Sequence, residues 1–249
     1  MKAIVIAAGE GSRMGKLTKN IPKPLVLVNG KSIIERQLSI LKQNGILDII
    51  IITGPHHEKF NFKNVVYVND LDYKKHDTLA SLMIARDYMN DEIIITYADQ
   101  IFDEKIMESI NNFSGDIGIA VDLDWEKNYV NRDQHPKSEA ENVLINGNEI
   151  LEIRKNISEC KENEKIGECP GLVKFSRKAS KVFLDKYSEL EKSHQGKFHN
   201  APSLEKAIIS DMIQELIGSE INVEPIYVSG KWCEIDTPQD LQIARKLFS

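Results

Sequence analysis

Only three cysteines occur in the 249 residues, Cys160, Cys169 and Cys233, and no two of them form a CxxC pair. So sparse and odd a set excludes a disulfide framework and offers no zinc-ligand spacing; reduced thiols and a cytoplasmic location are the expectation. No apolar run approaches the ~18–20 residues that span a bilayer, so no membrane segment is expected. The apolar stretch Ala3 to Ala8 falls short of the roughly 7–15-residue core of a secretory signal, and a single lysine precedes it. A long basic tract is also missing. Net charge is −6, from 32 Lys+Arg against 38 Asp+Glu, which argues against nucleic acid as a partner while leaving room for a local basic pocket around a small anion. None of the six histidines belongs to an HExxH pattern.

What is present is an alternation of strand-like and helix-like segments. "AIVIAA" (3–8), "DIIIIT" (48–53), "VVYV" (65–68), "EIIITY" (92–97) and "DIGIAV" (116–121) are continuous apolar runs rich in isoleucine and valine, the pattern of parallel strands covered on both faces. Between them, "KSIIERQLSILKQNG" places Ile33, Ile34, Gln37, Leu38 and Leu41 on one helical face and stops at Gly45. "DTLASLMIARDYM" starts with Asp77 as N-cap. The rhythm predicts an α/β fold: a Rossmann-like, doubly wound, mostly parallel sheet with its ligand site beyond the carboxyl ends of the strands. Residues 122–147 are polar and weakly periodic, an excursion from a single domain over 1–249, with the inserted segment running to about 175. Helices are expected at about 177–192 and 203–217, a strand at 222–228, and a closing helix at "TPQDLQIARKLF", where Thr237 caps and Pro238 suits the first turn.

The loop after the first strand, "AAGEGSRMGKLTKNIPKPL", is neither of two familiar phosphate-binding turns. Counting back from Gly15-Lys16, a Walker A loop needs glycine where Glu10 stands and a hydroxyl where Leu17 stands. A dinucleotide fingerprint needs a third glycine at Met14 and an immediate helix, and the loop continues through Pro22 and Pro24 instead. What remains is a concavity of small residues able to approach an oxyanion through backbone N–H groups. It carries Arg13, suited to bidentate phosphate binding, and Lys23, a point charge held between two prolines.

"AAGEGSRM…IPKPL" resembles the signature loop of nucleotidyltransferases that join a nucleoside triphosphate to a phosphorylated small molecule, with Gly9, Gly11, Arg13 and Lys23 at matching spacing. The resemblance implies a fold of the nucleotide-diphospho-sugar transferase type. It also implies a divalent cation, Mg2+, held by paired carboxylates; Asp99 in "ADQ" and Asp236 in "EIDT" match those motifs and follow strand-like runs. By the same resemblance Ala7, Ala8, Gly9, Gly11 and Ser12 contact the nucleotide, with Thr78 and Ser81 near the nucleoside, although "HDTLASL" stands where many relatives have "NNxxSL". The implied reaction is in-line attack of an acceptor phosphate or phosphonate oxygen on the α-phosphorus. Such an acceptor has a second pKa of about 6 and is already ionised at neutral pH, so no general base is required.

Several stretches, "YVNRDQHPKSEAENV", "GECPGLVKFS", "SLEKAIISDMIQELI" and "GKWCEIDTPQDLQIA", resemble cytidylyltransferases acting on aminoethylphosphonate, hydroxyethylphosphonate, phosphocholine or, in capsular phosphoramidate synthesis, glutamine phosphate. The partners so implied are CTP and a small phosphate or phosphonate acceptor, in a monomer or homodimer. Lys155 is the candidate for the acceptor phosphate, Arg132 and His135 for acceptor anions, and Glu139 and Glu141 for an acceptor ammonium group. Two other classes stay open: a sugar-1-phosphate nucleotidyltransferase using another base, and a nucleotide-binding regulatory module without catalysis.

Overall fold

The structure, a computed structural model, describes residues 1–249. The first half comprises β1 (Lys2–Ala7), β2 (Leu27–Val28), β3 (Lys31–Ser32), α1 (Ile33–Gln43), β4 (Asp48–Thr53), β5 (Val66–Asn69), α2 (Thr78–Ile84), β6 (Ile93–Tyr97), β7 (Gln100–Phe102), α3 (Glu104–Asn112) and β8 (Ile117–Val121). The second half adds β9 (Glu141–Asn146), β10 (Glu149–Lys155), β11 (Glu164–Glu168), β12 (Leu172–Phe175), α4 (Arg177–Ser193), α5 (Ile209–Gly218), β13 (Glu224–Tyr227), β14 (Trp232–Glu234) and α6 (Pro238–Leu247). Seven strands form the central sheet in the order β13-β8-β12-β6-β1-β4-β5. All neighbours are parallel except β12, which is antiparallel to both β6 and β8.

The apolar runs are continuous because both faces of the sheet are covered. Ile4, Ile6, Ile50, Ile52, Ile93 and Ile95 enter one buried cluster together with residues of α2, α4 and α5. Val5, Ile49, Ile51 and Ile94 enter a second with residues of α1 and α3. The period of two along each strand sends alternate side chains to opposite layers. Each buried isoleucine or valine contributes on the order of 2 kcal/mol of transfer free energy. In α1 the buried face consists of Ile33, Ile34, Gln37, Leu38 and Leu41, and Ser32 with Glu35 closes a capping box. No helix is long and apolar enough to cross a membrane.

The polar stretch 122–147 holds a strand, β9, that its composition conceals, while "NEILEIRKN" forms β10 as its apolar residues suggest. Strands β9, β10 and β11 form a separate antiparallel sheet in the order β10-β9-β11, burying Val143, Ile145 and Ile153 toward the main core. The excursion ends at β12, which is a strand of the central sheet, so its own sheet stops at Glu168. The helix expected from 203 begins only at Ile209. The carbonyls of Glu205 and Ala207 accept from Asp77 N (2.9 Å) and Leu79 N (3.2 Å), satisfying N–H groups at the start of α2, and a continuous helix would withdraw those acceptors.

Candidate active site

A cleft of about 410 Å³ opens beyond the carboxyl ends of β1 and β6. Its lining brings together Ala7, Ala8, Gly9, Gly11, Ser12 and Arg13 from the glycine loop, Lys23, Thr78, Ser81, Asp99 and Asp236. The loop is shaped by local chemistry. Gly11 adopts a left-handed φ of 63°, and a Cβ there would lie 2.9 Å from Lys23 Cβ, so the glycine lets the two halves of the signature pack together. Thr18 Oγ1 donates to Gly11 O at 2.8 Å, and Met14 is anchored in the core. On the neighbouring strand, a Cβ on Gly54 would meet Ala8 O at 2.3 Å, so the end of β4 can approach the loop only with glycine in that place.

The two aspartates come from opposite halves of the chain, and a short ladder joins them. In β7 and β14, Phe102, Ile101 and Gln100 pair antiparallel with Trp232, Cys233 and Glu234. Ile235 N then donates to Asp99 O at 3.0 Å. Lys23 Nζ bridges the carboxylates, donating to Asp99 Oδ2 (2.7 Å) and Asp236 Oδ1 (2.5 Å). Burial alone would lower the pKa of this ammonium, but the charges of Asp99 and Asp236 outweigh it and hold Lys23 above its ordinary value. Arg13 Nη2 lies 2.6 Å from Asp236 Oδ2, with Arg13 57% exposed and Asp236 2% exposed. The approach is an ion pair without hydrogen-bond alignment. Burial opposes ionisation of Asp236, yet Lys23 and Arg13 keep its carboxyl below the usual range.

Asp99 Oδ1 is buried with no hydrogen-bond donor, and Asp236 Oδ2 is buried with the Arg13 ion pair beside it. An unpartnered Asp99 oxygen next to an Asp236 oxygen met by an exposed arginine, beside a basic loop, fits a hard divalent cation, which takes one or two protein carboxylates and leaves its remaining positions to phosphate and water. Such a cation would supply charge neutralisation to a triphosphate. His135, Glu234 and Asp236 also offer ligand atoms within 4.8 Å of one another. There, however, His135 Nδ1 already lies 3.0 Å from Arg132 Nη2, a resident cation.

The residues expected to meet an acceptor fall in two groups. Arg132 is buried; its Nε donates to Asp240 Oδ1 (2.7 Å), its Nη2 to Glu234 O (2.9 Å), and its guanidinium covers the Tyr129 ring at 5.1 Å. Neither Arg132 nor His135 lines the cleft, and His135 is buried between Arg132 and Asp240. Lys155 and Glu139 are exposed and paired, Lys155 Nζ donating to Glu139 Oε2 at 2.7 Å. That bond holds the Glu139 carboxyl below its ordinary value, and neither Lys155 nor Glu139 lines the cleft. Glu141 turns inward and accepts from the Ser210 hydroxyl, and burial raises its pKa.

Sequence reading passed over several residues of this region. Tyr73, Lys74, His76, Tyr97 and Lys206 line the cleft, and "YKKHD" was the available signal. Asp240 does more than begin a helix: its Oδ2 accepts from Asp236 N (3.0 Å), Thr237 N (2.8 Å) and Thr237 Oγ1 (2.9 Å).

Residues 3–125, which carry the glycine loop, Lys23 and Asp99, match the MobA-like NTP transferase domain. The chain is a nucleotidyltransferase. It is 28% identical to the CTP:phosphoglutamine cytidylyltransferase of Campylobacter jejuni over 98% of this chain and 98% of that one. It is 38% identical to the choline-phosphate cytidylyltransferase of Streptococcus pneumoniae, over 41% of this chain and 46% of that protein. The solved structure of the CTP:phosphocholine cytidylyltransferase from Streptococcus pneumoniae shares the nucleotidyltransferase's fold, with a TM-score of 0.76 at 23% identity, covering 100% of this chain and 99% of that one.

Proposed function

We propose that this nucleotidyltransferase transfers CMP from CTP to a small phosphorylated or phosphonate acceptor and releases pyrophosphate. The observation that carries the reading is the Arg13–Lys23–Asp99–Asp236 cluster, two cations and two carboxylates at one end of a loop-lined cleft. An ionised acceptor oxygen attacks the α-phosphorus, the bond from that phosphorus to the bridging oxygen breaks, and pyrophosphate leaves with the electron pair. Arg13 and Lys23 supply positive charge where oxyanions crowd, and positioning does the rest. Asp99 and Asp236 would hold Mg2+.

Glutamine phosphate is the specific acceptor we favour, as would serve a capsular phosphoramidate modification. The relative similar over its full length is named for phosphoglutamine. The exposed Lys155–Glu139 pair offers both signs of charge to an acceptor that carries a phosphoryl group, a carboxylate and an ammonium. In this reading Lys155 meets an acceptor anion and Glu139 the ammonium. Pyrophosphate release from CTP, measured with glutamine phosphate, phosphocholine, aminoethylphosphonate and glucose 1-phosphate in turn, tests it. Turnover with glutamine phosphate well above the others is expected. Turnover confined to the sugar phosphate, or absent with every acceptor, refutes the proposal.

A further inference from the structure

The chemistry at Asp99 and Asp236 leaves one buried cluster of the cleft without a role. Asp70, at the end of β5, is 1% exposed. Its Oδ1 accepts from Asp72 N (3.0 Å) and its Oδ2 from Ser81 Oγ (2.7 Å). His76 Nδ1 lies 2.9 Å from Oδ1 and 3.0 Å from Oδ2. Ser81 bonds to the aspartate and not to the imidazole, so this is no nucleophile–base pair. A carboxylate can only accept, so the proton of a neutral His76 must reside on Nδ1. Nε2 has no partner within the protein, and His76 lines the cleft. A neutral His76 therefore presents to a ligand an imidazole whose free nitrogen is a hydrogen-bond acceptor.

Its place in the sheet says which part of a nucleotide it meets. Asp99 ends β6, the glycine loop follows β1, and β4 and then β5 lie beyond. Three strand spacings separate β6 from β5, roughly 14 Å. With the triphosphate at Arg13, Lys23 and Asp99, the ribose and base extend over β1 and β4 toward Asp70 and His76. A cytosine offers an exocyclic amino donor at its far edge where a uracil offers a carbonyl acceptor.

We propose that His76, oriented by Asp70, is the residue that selects an amino-bearing pyrimidine over a carbonyl-bearing one. The inference rests on the reading that a nucleoside triphosphate fills the cleft, and it assigns the base preference to this chain's own "HDTLASL" segment. An acceptor at that point accepts from the amino group of CTP and opposes the O4 of UTP. Losing the bond costs CTP about tenfold or more in affinity.

Equilibrium binding of CTP and of UTP with magnesium, to the full chain and to His76→Ala, His76→Lys and Asp70→Asn, tests this without requiring turnover. The unmodified chain is expected to bind CTP at least about tenfold more tightly than UTP. In His76→Ala the CTP affinity falls and the ratio collapses toward one. In His76→Lys, which can only donate, the preference moves toward UTP. Asp70→Asn frees the tautomer and weakens discrimination. An unchanged CTP:UTP ratio in His76→Ala, or a UTP preference in the unmodified chain, overturns the inference. A chain that prefers CTP through His76 yet transfers CMP to no acceptor refutes the proposed reaction and leaves this assignment standing. Transfer of CMP with a ratio insensitive to His76 does the reverse.

Discussion

Arg132 and Asp240 form a buried ion pair at 2.7 Å that ties the inserted segment to the start of α6. Asp240 in turn holds the backbone of Asp236 and Thr237, so the brace reaches the carboxylate that faces the cleft. Burial works against ionisation of Asp240, but hydrogen bonds from His135 and Arg132, the Arg132 charge and the Thr237 hydroxyl keep its pKa well below the usual carboxylate range.

Arg132→Ala is expected to destabilise the protein by about 3–5 kcal/mol, because it strands a buried carboxylate. Urea unfolding measures the loss. Arg132→Lys recovers only part of it, since one ammonium cannot reproduce the planar fork that meets Asp240 and Glu234 O together. Unaltered stability combined with a raised KM for the acceptor would instead assign Arg132 to acceptor binding.

Lys23→Ala removes the cation that neutralises Asp99 and Asp236. Without divalent ion the loss is expected at about 3–5 kcal/mol, and millimolar Mg2+ should raise the variant's melting temperature more than it raises that of the unmodified chain. Turnover should fall about 10²–10³-fold. Equal magnesium shifts in both proteins would argue against the aspartate pair as the cation site.

Glu168 supplies a pH dependence of its own. It is 2% exposed, and burial pushes its pKa up to about 8, against a smaller opposing effect of the Tyr129 hydroxyl that donates to it. A carboxyl whose folded pKa lies above its unfolded value favours the native state at low pH. That contribution is complete below the unfolded value of 4.5 and is lost as pH rises through about 8. Glu168→Gln is therefore expected to flatten the decline in unfolding free energy across that interval by a few kcal/mol. Parallel pH profiles for the two proteins would remove Glu168 as the cause.

Lys155→Ala and Glu139→Ala should leave folding almost untouched, because exposed pairs contribute about 0–1 kcal/mol. The expected effect is a rise of about tenfold in acceptor KM with the KM for CTP unchanged. Steady-state kinetics with each substrate varied separates the two. A matching rise in the KM for CTP would move the pair to the nucleotide side.

Much of the fold was legible because its signal is local. The strands of "AIVIAA", "DIIIIT" and "EIIITY" announce burial on both faces, and Thr237, Pro238 and Asp240 mark the start of α6. Strand β9 was not legible, since its three contiguous apolar residues, Val143 to Ile145, are flanked by Glu141, Asn142 and Asn146 inside a polar stretch. Nor was the break before α5, which depends on hydrogen bonds to a segment in the other half of the chain.

The sequence by itself determined the glycine loop, the cations Arg13 and Lys23, and two aspartates following strand-like runs. Loop chemistry and strand periodicity are properties of neighbouring residues, and they survive in a linear reading. Only the tertiary structure decided that Asp99 and Asp236 share Lys23, that Arg132 and His135 are buried behind Asp236, and that Asp70 orients His76. The first two depend on contacts between segments remote along the chain, and the third on a turn that brings His76 back to Asp70 six residues earlier. The three-residue ladder of β7 and β14 is too short to leave a periodic trace, and it is what brings the two aspartates together.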